Sequence, residues 1–252
     1  MAVWSRDVLA PPLRGVEAVV CDTDGVITDS AKVHAAAWKA AFDAFLTEHP
    51  PEDPARRRPF DSGDDYLRYV DGRSRLDGAA AFLASRGLDP TAQTVRAVAA
   101  DKERLFTARL REHGVDAFPG TVRLVRALRA AGVPVAAASA SRHARELLTG
   151  AGVLDLFEVL VDGGEAARLA LAGKPRPDLF LEAARRLGVA PARAAVVEDA
   201  LAGVEAGRRG GFGLVVGVDR TADPDTRARL VRHGAGIVVH DLAELLAEGA
   251  RR

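Results

Sequence analysis

The chain has 252 residues, with 35 Lys and Arg side chains against 35 Asp and Glu, and 48% of its residues are hydrophobic. This neutral balance argues against a protein that works chiefly by binding nucleic acid or an anionic membrane, and the hydrophobic content excludes a disordered chain. The single cysteine, Cys21, excludes an internal disulfide framework and a Cys-rich zinc site. Because no apolar run approaches the roughly 20 residues of a membrane span, we expect a cytoplasmic globular protein.

The first predicted strand, Glu17–Cys21, is followed by about a hundred residues before the next strand signal, far more than one crossover needs. Within this interval a Pro- and Arg-rich stretch, His49–Pro59, predicts a surface loop with solvated arginines. We interpret the interval as a helical domain, residues 31–115, inserted into an α/β core formed by residues 1–30 and 116–252. Its predicted helices are Ala31–Thr47, Asp64–Val70, Leu76–Arg86 and Ala92–His113.

Short apolar runs alternate with amphipathic helical patterns in the second half of the chain, which predicts an α/β fold with a parallel sheet and right-handed crossovers. The predicted strands are Val133–Ala138, Phe157–Val161, Ala194–Val197, Leu214–Val218 and Gly236–Val239. The predicted helices are Val122–Ala131, Ala144–Ala151, Pro177–Leu187, Ala200–Gly210 and Pro224–His233.

Two aspartates separated by one residue, Asp22 and Asp24, directly follow the first strand. Residues i and i+2 of a strand face the same side, so these carboxylates lie close together at the carboxyl end, where open α/β sheets bind ligands. Adjacent carboxylates repel unless a cation lies between them, and Mg²⁺ prefers such oxygen ligands. The alternative is a capped turn with solvated aspartates.

Polar residues also follow the later strands. Ser139 and Ser141 follow the second strand, where they could hold a phosphate or serve as ordinary helix caps. Lys174, one of four lysines in an Arg-rich chain, suits a role beside carboxylates and phosphate, or lies on the surface. Glu198 and Asp199 end the fourth strand as cation ligands or as a cap. Since the four signals occur in compatible order, they favour one shared site.

These motifs resemble those of the haloacid dehalogenase-like superfamily of phosphotransferases, and the resemblance covers nearly the whole chain. Within that superfamily the chain is similar to the β-phosphoglucomutases. The segments that carry both resemblances are Asp22-Thr23-Asp24-Gly25, Asp24–Ala31, His34, Ala37-Trp38-Lys39, Ser139-Ala140-Ser141-Arg142, Gly173–Asp178 and Glu198-Asp199. The implied fold is a Rossmann-like parallel-sheet core with an inserted α-helical cap.

The resemblance also implies catalytic roles. Asp22 would be the nucleophile that forms an aspartyl-phosphate, and Asp24 the general acid and base. Mg²⁺ would be bound by the Asp22 carboxylate, the Asp24 backbone carbonyl, Glu198 and Asp199. The transferring phosphoryl group would be held by Ser139, the Ala140 N–H and Lys174.

The inserted domain would close over the substrate and exclude water. Gly72-Arg73-Ser74-Arg75 matches the Gly-x-x-Arg turn with which these mutases bind the second phosphate of the substrate, so Arg75 is the candidate for that role. Arg142 is a second candidate, and Asp71 stands where the mutases tend to carry lysine. The other predicted substrate-binding residues are His34, Trp38, Gly72, Ala140 and Ser141.

The activity that this resemblance implies is the interconversion of β-D-glucose 1-phosphate and D-glucose 6-phosphate, with β-glucose 1,6-bisphosphate as intermediate and activator. The alternative on the same core residues is a Mg²⁺-dependent sugar-phosphate phosphatase, followed by a non-catalytic sugar-phosphate-binding protein. We expect a monomer whose partner is a small-molecule sugar phosphate, with no nucleic acid or membrane bound.

Overall fold

A computed structural model describes residues 6–221 and 224–248 of the chain. Its central feature is a sheet of parallel strands in the order β3-β2-β1-β4-β5-β6. This topology confirms the predicted α/β fold class. The strands are β1 (Ala18–Cys21), β2 (Val135–Ala138), β3 (Val159–Val161), β4 (Ala194–Glu198), β5 (Leu214–Val218) and β6 (Ile237–Val239).

Helices cover both faces of the sheet: α4 (Pro119–Ala130), α5 (Ala144–Gly150), α6 (Gly163–Arg168), α7 (Asp178–Leu187), α8 (Leu201–Arg209) and α9 (Pro224–His233). Helix α6 is missing from the sequence-based prediction because it is short and begins with two glycines. The side chain of Asp162 caps it by accepting hydrogen bonds from the N–H groups of Gly164 and Glu165, both at 2.9 Å.

Side chains of the central strand alternate between two hydrophobic cores, as the pleat of a strand buried on both faces requires. Val19 and Cys21 contribute to the core on one face, together with Leu124 of α4. Ala18 and Val20 contribute to the core on the other face, against α7 and α8. Both neighbours of β1 in the sheet are parallel strands, so its carboxyl end is framed by the ends of β2 and β4.

The long interval between β1 and β2 is helical, with α1 (Ala31–Glu48), a π-helical turn (Tyr66–Val70), α2 (Arg75–Ser85) and α3 (Ala92–His113). It has a hydrophobic cluster of its own, built around the buried rings of Phe42, Phe60 and Phe82. Within the described ranges, no helix combines the length and the apolar character that a membrane span requires.

The arginines of the Pro- and Arg-rich stretch are exposed, as predicted, but Arg58 also pairs with a buried carboxylate. The Arg58 guanidinium donates to both oxygens of the buried Asp65, at 2.7 and 2.9 Å, and Arg86 donates to the same carboxylate at 2.7 Å. These contacts lower the pKa of Asp65, although its burial acts in the opposite direction. Arg58 therefore holds this stretch against Asp65, at the start of the π-helical turn, a role that its sequence pattern does not indicate.

The chain enters and leaves the helical interval through two adjacent segments that hydrogen bond to each other. The Asp29 N–H donates to the Asp116 carbonyl at 2.9 Å, and the Phe118 N–H donates to the Ile27 carbonyl at 2.9 Å. The entry segment follows closely on the end of β1, and the exit segment lies beside it, so the helical interval is joined to the sheet edge that carries the polar residues. The division into a core and a cap domain stays a prediction.

Candidate active site

The side chain of Lys174 connects two acidic residues at the carboxyl end of the sheet. Its Nζ atom lies 2.5 Å from Asp22 Oδ1 and 2.6 Å from Glu198 Oε2. All three side chains are buried: the exposed fraction is 1% for Lys174, 7% for Asp22 and none for Glu198. Because buried charges are stable only when they are paired, these contacts explain why a lysine is tolerated here.

The loop after β4 holds the second acidic pair in position. Glu198 Oε1 accepts hydrogen bonds from the N–H groups of Asp199 and Ala200, at 3.1 and 2.9 Å. The Asp199 carboxylate packs against Gly25, whose φ is +78° and where a Cβ atom would overlap that carboxylate. Gly25 is thus required both for the turn after Asp24 and for the approach of Asp199.

Ligand atoms of Asp22, Glu198 and Asp199 all lie within 4.8 Å of one another. Burial raises the pKa of Asp22 and of Asp199 well above the usual range, and neighbouring carboxylates raise both further. A cation between the oxygens would remove that cost, and an all-oxygen donor set of this kind suits Mg²⁺. The residues present therefore fit the expected metal, although the Asp24 carboxylate is engaged elsewhere.

The Asp24 side chain faces the helical interval rather than the carboxylates of Glu198 and Asp199. Its Oδ1 accepts a hydrogen bond from the Ser30 hydroxyl at 2.5 Å, and its Oδ2 lies 3.4 Å from the Ser139 hydroxyl. His34 Nε2 of α1 lies 3.2 Å from Asp24 Oδ1. The predicted link between His34 and Asp24 is thus present as a contact. A contribution of Asp24 to the metal through its backbone carbonyl stays a prediction.

Lys102 of α3 completes this chain of contacts and was not among the predicted site residues. Its Nζ atom lies 2.8 Å from His34 Nδ1, beneath the ring of Phe106 at 4.3 Å. An ammonium group can only donate, so Nδ1 accepts, and a neutral His34 then carries its proton on Nε2, facing Asp24. Burial and the charge of Lys102 lower the pKa of His34, in agreement with the neutral ring.

The surroundings of Asp24 favour its charged form. Burial alone would raise the pKa of Asp24, but His34, Ser30 and Lys102 together hold it below the usual range. The same burial lowers the pKa of Lys102 to about 8. Asp24 is therefore an ionised carboxylate that can accept a proton from a neighbouring hydroxyl group.

A cavity of about 260 Å³ extends from Asp22 and Asp24 between the sheet edge and the helical interval. On the sheet side it is lined by Ala140, Ser141 and Arg142, in the turn after β2. In this turn the Ser141 N–H donates a hydrogen bond to the Ser139 hydroxyl at 3.1 Å. Its size and mixture of apolar and charged walls suit a small polar ligand. The predicted site residues that line it are Asp22, Asp24, His34, Trp38, Gly72, Arg75, Ala140, Ser141, Arg142, Lys174 and Asp199.

The wall contributed by the helical interval includes the turn before α2. Gly72 has a φ of +68° and its Cα approaches the Ala200 methyl group, so this turn packs directly on the start of α8. Trp38 is buried and stacks on Phe42, at 4.8 Å between ring centroids, so it belongs to the hydrophobic cluster as well as to the cavity wall. Arg75, the first residue of α2, forms an ion pair with Glu103 of α3.

Asp71 also lines the cavity, near the carboxylates of Glu198 and Asp199. Burial and the nearby Glu198 raise the pKa of Asp71 to about 7. A carboxylate here adds negative charge where the mutases that the chain resembles tend to carry lysine. It offers hydrogen-bonding groups to a hydroxyl-bearing ligand and, when ionised, repels a phosphate.

The fold and the site describe a phosphotransferase in which carboxylates, a buried lysine and a serine meet at the end of a parallel sheet. Residues 16–211 match the family described as haloacid dehalogenase-like hydrolase. The chain belongs to this family.

Relatives place the chain more narrowly. It is 45% identical to a protein named β-phosphoglucomutase from Mycobacterium bovis, over 98% of this chain and all of that protein. It is 31% identical to a protein of the same name from Bacillus subtilis, over 92% and 93% of the two chains. A β-phosphoglucomutase structure from Clostridium difficile shares the fold, with a TM-score of 0.70, 24% identity, and coverage of 91% and 93%. Within its superfamily the chain thus falls in the β-phosphoglucomutase-like subfamily.

Proposed function

We propose that this protein is a phosphomutase that interconverts β-D-glucose 1-phosphate and D-glucose 6-phosphate. The observation that carries this proposal is the 45% identity, along the whole length, to a protein named β-phosphoglucomutase. The cavity supports it, because nucleophile, proton acceptor and phosphate-binding candidates line one small space. A sugar phosphate is the partner, and the expected monomeric state and cytoplasmic location are part of the same proposal.

The proposed reaction begins with a phosphate already on Asp22, supplied by β-glucose 1,6-bisphosphate. Asp24 takes the proton from the 6-hydroxyl of glucose 1-phosphate, whose oxygen attacks the phosphorus while the bond to the Asp22 oxygen breaks. The bisphosphate then turns over in the site. Asp22 attacks the phosphorus at C1, and Asp24 returns its proton to the departing sugar oxygen. The low pKa of Asp24 keeps its carboxylate in the ionised form that accepts this proton, while it also makes that carboxylate a weaker base.

Lys174 holds the nucleophile in place for both half-reactions. Its two short contacts fix the Asp22 carboxylate against Glu198 and place a positive charge next to the oxygen that attacks. Ser139 and the Ala140 N–H lie at the neighbouring strand end, where they would bind oxygens of the phosphoryl group. The charge of Lys174 opposes the effect of burial and of Glu198, which raise the pKa of Asp22.

Mg²⁺ would be held by Asp22, Asp199 and Glu198, with the Asp24 carbonyl as a further ligand. When bound, it neutralises the charge that develops on the phosphoryl oxygens during transfer. The support for this metal is the group of carboxylate oxygens within 4.8 Å of one another. We further propose that residues 31–115 act as the cap that closes over the substrate and excludes water.

The second phosphate of the bisphosphate would bind at the opposite end of the cavity, where Arg75 and Arg142 are the candidates. The sugar ring would lie between, beside Trp38 and Gly72 on the cap and Ser141 on the core. His34 would transmit cap closure to Asp24 through the contact at 3.2 Å. A mutase needs both phosphate sites at once, whereas a phosphatase needs only the one at Asp22.

The product formed from β-glucose 1-phosphate, with Mg²⁺ and a trace of β-glucose 1,6-bisphosphate, tests the proposal. We expect glucose 6-phosphate, and Asp22→Asn should abolish its formation. Asp29→Asn serves as the matched control, because Asp29 lies in the same loop with a side chain that is 42% exposed. Free glucose and inorganic phosphate as the products would assign the protein to the phosphatases instead.

A further inference from the structure

Glu103 of α3 lines the cavity and divides its carboxylate between two cationic partners. Oε2 pairs with the Arg75 guanidinium of the helical interval, and Oε1 pairs with His143 Nε2, which follows the turn after β2. Glu103 therefore ties the proposed cap to the proposed core. The three side chains are 20–30% exposed, so the contacts lie at the mouth of the cavity rather than deep in a core.

The charges of this group are well defined. The hydrogen bond from His143, with Arg75 and Lys102 nearby, lowers the pKa of Glu103 to about 2 in spite of partial burial. The hydrogen bond to Glu103 likewise raises the pKa of His143, and Glu146 on its other side, at 2.9 Å from Nδ1, adds to this effect. At neutral pH the Glu103 carboxylate thus accepts from the N–H groups of the Arg75 guanidinium and the His143 ring.

Those donors are also the ones that an incoming phosphate would use. A guanidinium binds carboxylate and phosphate with the same fork of N–H groups, so both anions compete for Arg75. A phosphate monoester carries nearly two negative charges at neutral pH and three strong acceptor oxygens, against one charge and two oxygens for Glu103. A phosphorylated ligand can displace the carboxylate, whereas an uncharged sugar cannot.

We infer that Glu103 is a specificity-determining residue, an internal anion that holds Arg75 and His143 until the second phosphate of the substrate displaces it. This inference rests on the proposed function, since it assigns the second phosphate to Arg75. It gives His143 a part in that subsite and explains how the cationic end of the cavity stays ordered and closed to neutral sugars before the substrate binds.

A purely structural ion pair would behave differently. If Glu103 only tied the two parts of the chain together, its removal would loosen the cavity and weaken phosphate binding or leave it unchanged. If Glu103 competes with phosphate, its removal leaves Arg75 and His143 without their anion and strengthens phosphate binding. The direction of the change therefore separates the two roles.

The test is a titration of the protein with inorganic phosphate, followed by NMR at the ring of His143, with Glu103→Gln against the wild type. We expect the His143 signal to saturate at about tenfold lower phosphate in Glu103→Gln, a change of about 1.4 kcal/mol in binding. Glu146→Gln is the matched control, because Glu146 also pairs with His143 but is 55% exposed and not part of the cavity wall. It should saturate as the wild type does.

Glu103→Asp provides a second variant, which keeps the charge but has a side chain too short to contact both Arg75 and His143. Its midpoint of phosphate saturation should lie between those of the wild type and Glu103→Gln. Equal or weaker phosphate binding at His143 in Glu103→Gln, or no phosphate response at His143 in any variant, would overturn the inference. The proposed function fails by a different observation, the release of free glucose in the product assay, and that result leaves the phosphate titration interpretable.

Discussion

Replacing Lys174 with methionine should strongly destabilise the fold, because the ammonium group separates two buried carboxylates. Its Nζ atom contacts Asp22 at 2.5 Å and Glu198 at 2.6 Å, and the exposed fractions of the two acidic side chains are 7% and 0%. Breaking a buried ion pair from one side costs about 3–5 kcal/mol, since the remaining charge has neither partner nor water. That is a large part of the roughly 5–15 kcal/mol by which domains are stable.

Urea unfolding in the presence of EDTA measures this loss without a contribution from bound metal. Lys32→Met is the matched control, because Lys32 is 86% exposed and lies 3.6 Å from Asp29. Such a surface pair contributes about 0–1 kcal/mol. We therefore expect a free energy of unfolding lower by about 3–5 kcal/mol for Lys174→Met and nearly unchanged for Lys32→Met.

The loss should also depend on pH. Burial and Glu198 raise the pKa of Asp22 above its value in the unfolded chain, while Lys174 lowers it. The pKa of Asp22 is therefore higher in Lys174→Met than in the wild type. An acid with a raised pKa binds its proton more tightly in the folded state, and folding is then favoured as the pH falls. The deficit should be smaller at pH 6 than at pH 8. A deficit below about 1 kcal/mol, or one that is equal at both pH values, would refute the reasoning.

Two further substitutions test the support of Asp24 and of Glu198. Because burial lowers the pKa of Lys102 to about 8, kcat/KM should fall as the pH rises through about 8. Lys102→Met should lack this alkaline decrease, and Lys102→Arg should shift it to higher pH. An unchanged alkaline decrease in Lys102→Met would contradict the assignment. A Cβ atom at Gly203 would overlap Glu198, so Gly203→Ala should lower both activity and thermal stability, whereas the control Gly150→Ala, with no neighbour within 4 Å, should do neither. Equal melting temperatures for the two alanine variants would show that Glu198 is free to move.

The sheet and the residues at its edge could be predicted from the sequence because both depend on local pattern. Strands buried on both faces appear as short apolar runs, and the polar residue that ends each run must lie at the carboxyl edge. Asp22, Ser139 and Asp199 are therefore found by their place after a strand, whereas Lys174 lies between α6 and α7 and stands out because lysine is rare in this chain. The structure places Asp22, Lys174 and Asp199 in the wall of one cavity, and Ser139 lies behind that wall with its hydroxyl 3.4 Å from Asp24 Oδ2.

The residues from the helical interval could not be found in this way. Lys102 and Glu103 are consecutive residues of α3, about seventy positions from His34, and nothing local indicates that they reach the site. Their place depends on how α3 packs on α1, which a helical pattern leaves open. One compositional signal existed for Lys102: it is one of four lysines in an Arg-rich chain, as Lys174 is.

The fate of a labelled phosphate tests the central claim most directly. β-glucose 1,6-bisphosphate labelled with ³²P is mixed with the protein, Mg²⁺ and excess unlabelled β-glucose 1-phosphate, and the label is followed as glucose 6-phosphate forms. If Asp22 passes its phosphoryl group to sugar, the label stays in hexose phosphates and little inorganic phosphate appears. Release of the label as inorganic phosphate at the rate of substrate consumption would contradict the mutase and identify water as the acceptor.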